Sequence, residues 1–412
     1  MKLGLIGKPL GHSISPQIHK QLINEEYALY ELDEEEVVAF LKKKDFDGVN
    51  VTIPYKEFIL DYVDEISEEV KEIGASNCIV NQNGKLVAYN TDVYGFQEML
   101  VRNNIDVKDK NVAILGSGGA SKACKYAITQ MGGMPQVVSR GNASECITYD
   151  ALEKNKSMYQ VIVNTTPVGM YPNMDEAPIT LNGYTSLEAL IDVIANPLQT
   201  KLMFEAKTKG IKTCGGFEML VRQAAHADKR FVNVEVDEEK VQSCLYTLKE
   251  EIQNIILIGM PTSGKSTIAK ELANRLHMNC VDMDQEIEKR MGISIKECFE
   301  TKGEEEFRKY EKEIAKEIRE YKHTVVSCGG GVIKDATTMQ YLSTNGIVVW
   351  IDRDLNLLFE SDSRPLSSTK EDLNRLYEER YPLYQKYSDI HVCNNTKITE
   401  VIDEIIKKGK EK

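Results

Sequence analysis

Asn254-Ile255-Ile256-Leu257-Ile258-Gly259-Met260-Pro261-Thr262-Ser263-Gly264-Lys265-Ser266-Thr267 is the stretch that decides the second half of this chain. Its first five residues form an apolar, β-branched run, its last nine satisfy GxxxxGK[ST], and a helical pattern continues from Thr267 to Leu276. A strand, a glycine-rich loop and a helix in that order are the context in which this motif cradles nucleotide phosphates. Backbone N–H groups of the loop from Gly259 to Gly264, with the helix N-terminus at Thr267, would surround the phosphate oxygens. Lys265 would supply charge to the β- and γ-phosphates, and the Ser266 hydroxyl would ligate magnesium. A plain glycine turn capping a helix is the competing reading, and the full motif in its strand and helix context disfavours it.

A second glycine turn lies upstream. Gly116-Ser117-Gly118-Gly119-Ala120-Ser121 follows the predicted strand Asn111 to Leu115 and opens a predicted helix from Ser121 to Met131, which reads as a dinucleotide-binding turn. A small-residue turn between strand and helix is the alternative. The next predicted strand, Gln136 to Ser139, ends at Arg140 with no Asp or Glu, where an NAD site would place a carboxylate on the ribose hydroxyl. Arginine there favours the 2′-phosphate of NADP. Further strands are expected at Lys2 to Ile6, Asp47 to Val51, Gln160 to Asn164 and Ala189 to Val193, with helical patterns between them, so the fold class is α/β with parallel layers. The charged helical segment Asp237 to Glu251 precedes Asn254, and the domain boundary is placed at Lys249 to Gln253.

Composition narrows the partners. The 412 residues suggest roughly two to three domains at about 150 residues each. A formal net charge of −13 disfavours nucleic acid and anionic membrane surfaces, so an anionic ligand must be held by local sites. No apolar run approaches the ~18 residues of a membrane span, and Lys8-Pro9 interrupts the N-terminal apolar run, so a cytoplasmic chain is expected. The nine cysteines are widely spaced and odd in number, which argues against CxxC pairs, zinc knots and a disulfide framework. Six scattered histidines without HExxH predict no protein-caged transition metal.

Beyond the loop at 259–267 come Asp282-Met283-Asp284, Phe307-Arg308-Lys309-Tyr310-Glu311, Cys328-Gly329-Gly330-Gly331, Arg364-Pro365-Leu366 and Arg380-Tyr381-Pro382-Leu383-Tyr384. This series resembles shikimate kinase from about 254 to 412. The resemblance implies a P-loop, NMP-kinase-like α/β domain, given the bounds 253–412, that uses ATP with Mg2+. It implies that Asp284 orients the attacking hydroxyl of shikimate, that Arg308 and Arg380 bind its carboxylate, and that the turn around Gly330 approaches the ring. Asp282 would hold magnesium, and Arg364 would close over the phosphates. Read singly, Asp284 is a candidate N-cap for a helix at Gln285 to Arg290, and Arg308 a solvated face residue. Pro261-Thr262 stands where the family usually has a glycine, a departure that bears on the flexibility of the loop.

The first half carries Gly11-His12-Ser13-Ile14-Ser15-Pro16, Asn50-Val51-Thr52-Ile53-Pro54-Tyr55-Lys56, Ala75-Ser76-Asn77 and Asn90-Thr91-Asp92, then Asn164-Thr165-Thr166-Pro167-Val168-Gly169-Met170, Asn196-Pro197-Leu198-Gln199-Thr200 and Met219-Leu220-Val221-Arg222-Gln223. Together these are similar to shikimate dehydrogenase over essentially 1 to 250. The resemblance implies a substrate domain at 1–100 plus 215–250 around a Rossmann NADP(H) domain at 101–214. Ser13 and Ser15 would bind the substrate carboxylate, and Thr52, Asn77 and Gln223 the ring hydroxyls. Lys56 and Asp92 would carry the chemistry, and Gly116, Gly118, Gly119, Ala120, Ser139 and Arg140 would hold the cofactor. Hydride delivery to a ketone creates an alkoxide-like oxygen that needs a proton from a placed acid; Lys56 can give it and Asp92 can hold the lysine. Singly, Ser15-Pro16 reads as a helix start, Lys56 as an exposed lysine and Asp92 as the cap of a helix from Val93. Ala88, Ala195, Glu218, Ser139 and Gly141 depart from the family pattern.

The two resemblances fit consecutive steps: reduction of dehydroshikimate to shikimate with NADPH, then phosphorylation with ATP. Small-molecule substrates are the expected partners. The rivals are a dehydrogenase preferring quinate and NAD, and an inactive fusion that senses metabolites.

Overall fold

Glycine, asparagine and aspartate close most of the short apolar runs of this chain, which the computed structural model describes over residues 1–11, 13–141, 145–358 and 370–410. The chain divides into two units, Met1–Leu248 and Lys249–Lys412. The first unit holds two sheets and the second holds one.

The first sheet comprises β1 (Leu3–Gly7), β2 (Tyr27–Glu31), β3 (Gly48–Val51), β4 (Glu65–Ile66), β5 (Cys78–Gln82) and β6 (Lys85–Tyr89), in the order β2-β1-β3-β5-β6-β4. β1 runs parallel to β2 and β3, whereas β5 is antiparallel to β3 and β6. Asn83 and Gly84 both take positive φ, +56° and +88°, the backbone that a tight two-residue hairpin between β5 and β6 demands. The hairpin has a functional consequence. Its register pairs Cys78 with Tyr89, which brings Asn77 beside Asn90, Thr91 and Asp92 at one end of the sheet.

The second sheet comprises β7 (Asn111–Leu115), β8 (Met134–Val138), β9 (Cys146–Ile147), β10 (Val161–Asn164), β11 (Ala189–Asp192) and β12 (Lys212–Gly215), all parallel, in the order β12-β11-β10-β7-β8-β9. Its strands are apolar on both faces, as parallel strands covered by helices on both sides must be. Val112, Ile114, Val161 and Val163 pack on one side with Ala123, Ala127 and Ile128 of helix Gly119–Gln130. Ala113, Leu115, Ile162 and Leu190 pack on the other with Leu202 and Ala206 of helix Lys201–Thr208. Helix Gly216–Val232 then returns to the first sheet, where Ala227 and Phe231 join Leu3, Leu5, Tyr27 and Cys78.

The second unit is built on β13 (Asn254–Ile258), β14 (Asn279–Asp282), β15 (Thr324–Ser327), β16 (Gly346–Asp352) and β17 (Ile390–Cys393), all parallel, in the order β14-β15-β13-β16-β17. Leu257, Val349 and Val392 form one apolar face with Ile268 and Leu272 of helix Lys265–Leu276 and Val401 and Ile405 of helix Ile398–Lys410. The chain is thus α/β, as its sequence suggests, with two all-parallel sheets and a first sheet made mixed by the antiparallel β5. Helix starts differ from expectation by a turn or less: the dinucleotide-turn helix begins at Gly119 and the phosphate-loop helix at Lys265, because each glycine turn feeds directly into helical backbone. Helix Glu238–Ile252 runs through the division between the units. No described helix is long and apolar enough to cross a membrane.

Candidate active sites

Lys56 follows β3, and Tyr55 anchors it: that ring is buried and its hydroxyl donates to Leu32 O at 2.7 Å. Lys56 O accepts from the Ser76 N–H at 2.8 Å, which fixes the backbone on its other side. From this base Lys56 Nζ donates to Asp92 Oδ2 at 2.6 Å, with 19% and 10% of the two side chains exposed. Asp92 lies in the first turn of helix Asp92–Arg102, where the helix N-terminus favours a carboxylate. The residue at the cap position is Thr91, so Asp92 is not the cap and its oxygens are available to side chains.

Asn77 ties the cluster together. Its Nδ2 donates to Asp92 Oδ1 at 2.9 Å and lies within hydrogen-bond reach of Thr91 Oγ1 at 3.0 Å and Gln223 Oε1 at 3.2 Å. Its Oδ1 accepts from the Thr91 N–H at 2.6 Å. Gln223 Oε1 also accepts from Thr91 Oγ1 at 3.2 Å, and Gln223 Nε2 donates to Leu220 O. Gln223 reaches this cluster because Gly95 lets helix Gly216–Val232 come close: a Cβ at Gly95 would lie 2.8 Å from Gln223 N and 2.9 Å from Met219 O. Thr91 and Gly95 were not among the site residues predicted from sequence. The polar run Asn90-Thr91-Asp92 is the signal for the first; nothing local marks the second. Ser13 Oγ donates to Ser15 Oγ at 3.2 Å at the start of helix Ser15–Ile23, and Thr52, four residues before Lys56, donates its N–H to Ile6 O at 2.9 Å.

The dinucleotide-type turn lies against Lys56. A Cβ at Gly119 would stand 3.5 Å from Lys56 Cδ, whereas a Cβ at Gly118 would meet nothing within 4 Å. Gly116 takes φ +104° at the end of β7, a conformation that favours glycine, and packs against Thr165. Ala120 is in the first turn of the helix. Ser117 Oγ and Ser139 Oγ are 3.3 Å apart across the ends of β7 and β8, and Arg140, exposed, follows directly. Beneath the turn is a buried network that the sequence reading did not identify. Asp192 accepts from Asn164 Nδ2 at 3.1 Å, Thr200 Oγ1 at 2.7 Å and the Ile194 N–H at 3.1 Å. Burial outweighs these bonds and pushes the Asp192 carboxyl up to about 6.

In the second unit, Gly264 caps helix Lys265–Leu276 at φ +94°. Thr262 takes φ +61°, a left-handed conformation costly for a β-branched residue, at the place where the sequence departs from glycine. Lys265 is buried, and its Nζ donates to Gly259 O at 3.0 Å and Met260 O at 2.8 Å within the loop. Ser266 Oγ donates to Asp282 Oδ2 at 2.8 Å and lies 3.1 Å from Ser327 Oγ; Thr267 follows in the helix. Asp282, not Asp284, caps helix Met283–Met291, accepting from the N–H groups of Asp284 and Gln285. The cap reading of Asp284 is therefore replaced. Its Oδ1 lies 2.7 Å from where a Cβ would be at Gly329, so the glycine makes room for the carboxylate.

Arg308 crosses the same turn: a Cβ at Gly331 would collide with its Nη2. Its guanidinium donates to Glu304 Oε1 at 2.8 Å and to Glu311 Oε2 at 2.6 Å. Burial pushes the Glu311 carboxyl up to about 7 against the pull of Arg308, and nearby Asp284 adds to the rise. Tyr384 donates to Gly330 O at 2.6 Å and feels the positive charge of both Arg380 and Arg308. Arg380 is buried, and among the described residues its Nε has no hydrogen-bond partner. Arg364 lies outside the described residues.

Both units resemble known proteins. Residues 5–79 match the family model described as the shikimate dehydrogenase substrate binding domain, and residues 261–410 match shikimate kinase. The shikimate dehydrogenase (NADP(+)) of Caldicellulosiruptor bescii is 41% identical in an alignment of length 258, and the match covers 55% of this chain and 88% of that protein. The crystal structure of a chorismate mutase/shikimate 5-dehydrogenase fusion protein from Clostridium acetobutylicum is similar with a TM-score of 0.56 and 35% identity, covering 60% of this chain and 96% of the other. The shikimate 5-dehydrogenase of Thermus thermophilus, solved with NADP(H) and shikimate, is similar with a TM-score of 0.56 and 29% identity over 60% of this chain and 99% of its own. By its first unit the chain belongs to the shikimate dehydrogenase family, and with the shikimate kinase domain of its second unit it is a fusion of the two enzymes.

Proposed function

We propose that the first unit reduces 3-dehydroshikimate to shikimate with NADPH and that the second phosphorylates shikimate with ATP and Mg2+. The observation that carries the reading is the Lys56–Asp92 pair, joined by Asn77 and lying against Gly119 of the dinucleotide-type turn.

The residues fit the cofactor. Space over Gly118, hydroxyls at Ser117 and Ser139, and a solvent-facing Arg140 suit a pyrophosphate and a 2′-phosphate. When bound, the reduced nicotinamide supplies a hydride. Lys56 then delivers its proton to the oxygen that gains negative charge, and Asp92 holds the ammonium in place. Asn77, Thr52 and Gln223 orient ring hydroxyls, and Ser13 and Ser15 take the carboxylate. The polar side chains of Asn77, Thr91 and Gln223 already restrain one another, so little ordering remains on binding.

In the second unit, phosphoryl transfer needs positioned charge more than covalent chemistry. Lys265, held inside the loop by Gly259 O and Met260 O, would supply charge to the β- and γ-phosphates, with Gly259, Gly264 and Thr267 as the cradle. Ser266 and Asp282 place hydroxyl and carboxylate oxygens together, a donor set suited to magnesium, which would offset phosphate charge. Asp284 orients the acceptor hydroxyl across Gly329. Arg308 and the orphaned Nε of Arg380 suit the substrate carboxylate near Gly330. Arg364, outside the described residues, is assigned to the ATP phosphates on the resemblance alone.

The test is one coupled assay of the purified chain with 3-dehydroshikimate, NADPH, ATP and magnesium. The expected result is NADPH oxidation together with ADP formation that requires dehydroshikimate. Faster turnover of quinate with NAD overturns the substrate assignment, and ligand binding without turnover of either substrate supports a sensing role instead. Arg140→Ala should raise the Michaelis constant for NADP about tenfold with little change for NAD; equal losses with both would make Arg140 structural.

A further inference from the structure

The carboxyl ends of β16 and β17 bring together three side chains of different chemistry. Asp352 is paired in register with Cys393, and Trp350 with His391. Side chains paired in a parallel ladder, and those two apart on one strand, share a face. Asp352, His391 and Cys393 therefore project from the same face, and one ligand atom from each lies within 4.8 Å of the other two. Asp352 and His391 are 39 positions apart in sequence, so no spacing motif marks them.

We propose that Asp352, His391 and Cys393 bind one thiophilic divalent cation of the zinc and cobalt class, and that its binding is felt by the loop Gly259 to Thr267. An imidazole nitrogen, a thiolate and a carboxylate are donors for such ions rather than for magnesium or calcium, and three protein ligands leave a fourth position for water. The arrangement is partly preset. His391 Nε2 already faces Asp352 Oδ2 at 3.2 Å, and stacking on Trp350, with ring centroids 4.1 Å apart, holds the imidazole plane. The Arg353 N–H occupies Asp352 Oδ1 at 2.9 Å, which leaves Oδ2 turned to the other two groups. His391 and Cys393 are exposed, so an ion can enter. On binding, Cys393 Sγ exchanges its proton, released to solvent, for the bond to the metal.

Both ligand-bearing strand ends touch the loop. Asn394, next to Cys393, donates its N–H to Asp352 O at 2.7 Å and its Nδ2 to Ser263 O at 2.8 Å. On the other strand, Ile351 O lies 2.2 Å from where a Cβ would stand at Gly259. An ion joining β16 to β17 would thus restrain residues that contact the loop at both ends. This coupling rests on reading the loop as the nucleotide site, whereas the metal site does not.

The full chain, freshly reduced, is titrated with Co2+ and followed by absorbance. The expected result is one cobalt per chain, with the visible bands of tetrahedral cobalt and a near-ultraviolet thiolate-to-cobalt band. These should vanish in Cys393→Ser and His391→Ala, weaken at least about tenfold in affinity in Asp352→Asn, and persist in Cys280→Ser, which removes the other exposed cysteine. Absence of the thiolate band, or its survival in Cys393→Ser, overturns the site. Calorimetry of ADP binding with and without one equivalent of Zn2+ tests the coupling. A change of about threefold or more that Cys393→Ser abolishes supports it, and an unchanged affinity overturns it. Failure to bind ADP at all would overturn the nucleotide reading while leaving the cobalt spectra to decide the metal site.

Discussion

Lys56 Nζ donates to Asp92 Oδ2 across 2.6 Å although the two residues are 36 positions apart. Asp92 keeps a second partner in Asn77 at 2.9 Å. Removing the lysine therefore deletes the proposed proton donor while Asp92 stays anchored by Asn77. Lys56→Ala should lower dehydrogenase kcat by about 10²–10⁴-fold. Kinase activity, measured in the same preparation, should be unchanged. Near-normal reduction of dehydroshikimate by the variant would remove Lys56 from the chemistry.

Asp284→Asn keeps shape and leaves the helix cap intact, because Asp282 makes that cap. Shikimate phosphorylation should fall by about 10²-fold or more, while ATP affinity measured by calorimetry stays within about twofold. Loss of ATP binding together with activity would move Asp284 to the nucleotide.

Gly95→Ala inserts a methyl where Gln223 N stands 2.8 Å away and Met219 O 2.9 Å away, both on a buried helix. Neither neighbour is the end of a flexible side chain, so the helices must part at a cost of about 1–3 kcal/mol. Gln223 should shift with its helix. The expected readout is a raised Michaelis constant for shikimate and a lower melting temperature of the first unit. An unchanged Michaelis constant would show that Gln223 does not hold the substrate.

Asp192 is harder to ionise folded than unfolded, with its carboxyl raised from 3.8 to about 6 by burial. The folded state then holds a proton that the unfolded state has lost. The stability Asp192 contributes is therefore full below pH 4 and declines as pH rises to about 6, by roughly 3 kcal/mol. Urea unfolding of wild type and Asp192→Asn from pH 4 to pH 7 should show the difference between them change in that window. A difference flat in pH would mean that Asn164 and Thr200 hold the carboxylate ionised at its ordinary value.

Much of the fold was legible locally. The strand at Asn111–Leu115 and the strand, loop and helix from Asn254 to Leu276 are each specified by contiguous residues, since apolar runs, glycine turns and helix starts act over a few positions. The residue types of the two candidate sites were legible for the same reason: each stands in a short motif. Tertiary structure decided which of two aspartates caps helix Met283–Met291. Asp282 and Asp284 are equally able caps by residue type, and only the turn of the backbone after β14 gives the role to Asp282. It also decided that Gln223 meets Asn77, 146 positions away, because Gly95 permits two helices to approach. Pairing of β16 with β17 brought Asp352 to His391 and Cys393, where scattered cysteines and histidines had pointed away from any such cluster. Sequence specifies local backbone through residue-by-residue preferences, but contacts between distant segments depend on strand register and helix approach, which are settled only when the whole core packs.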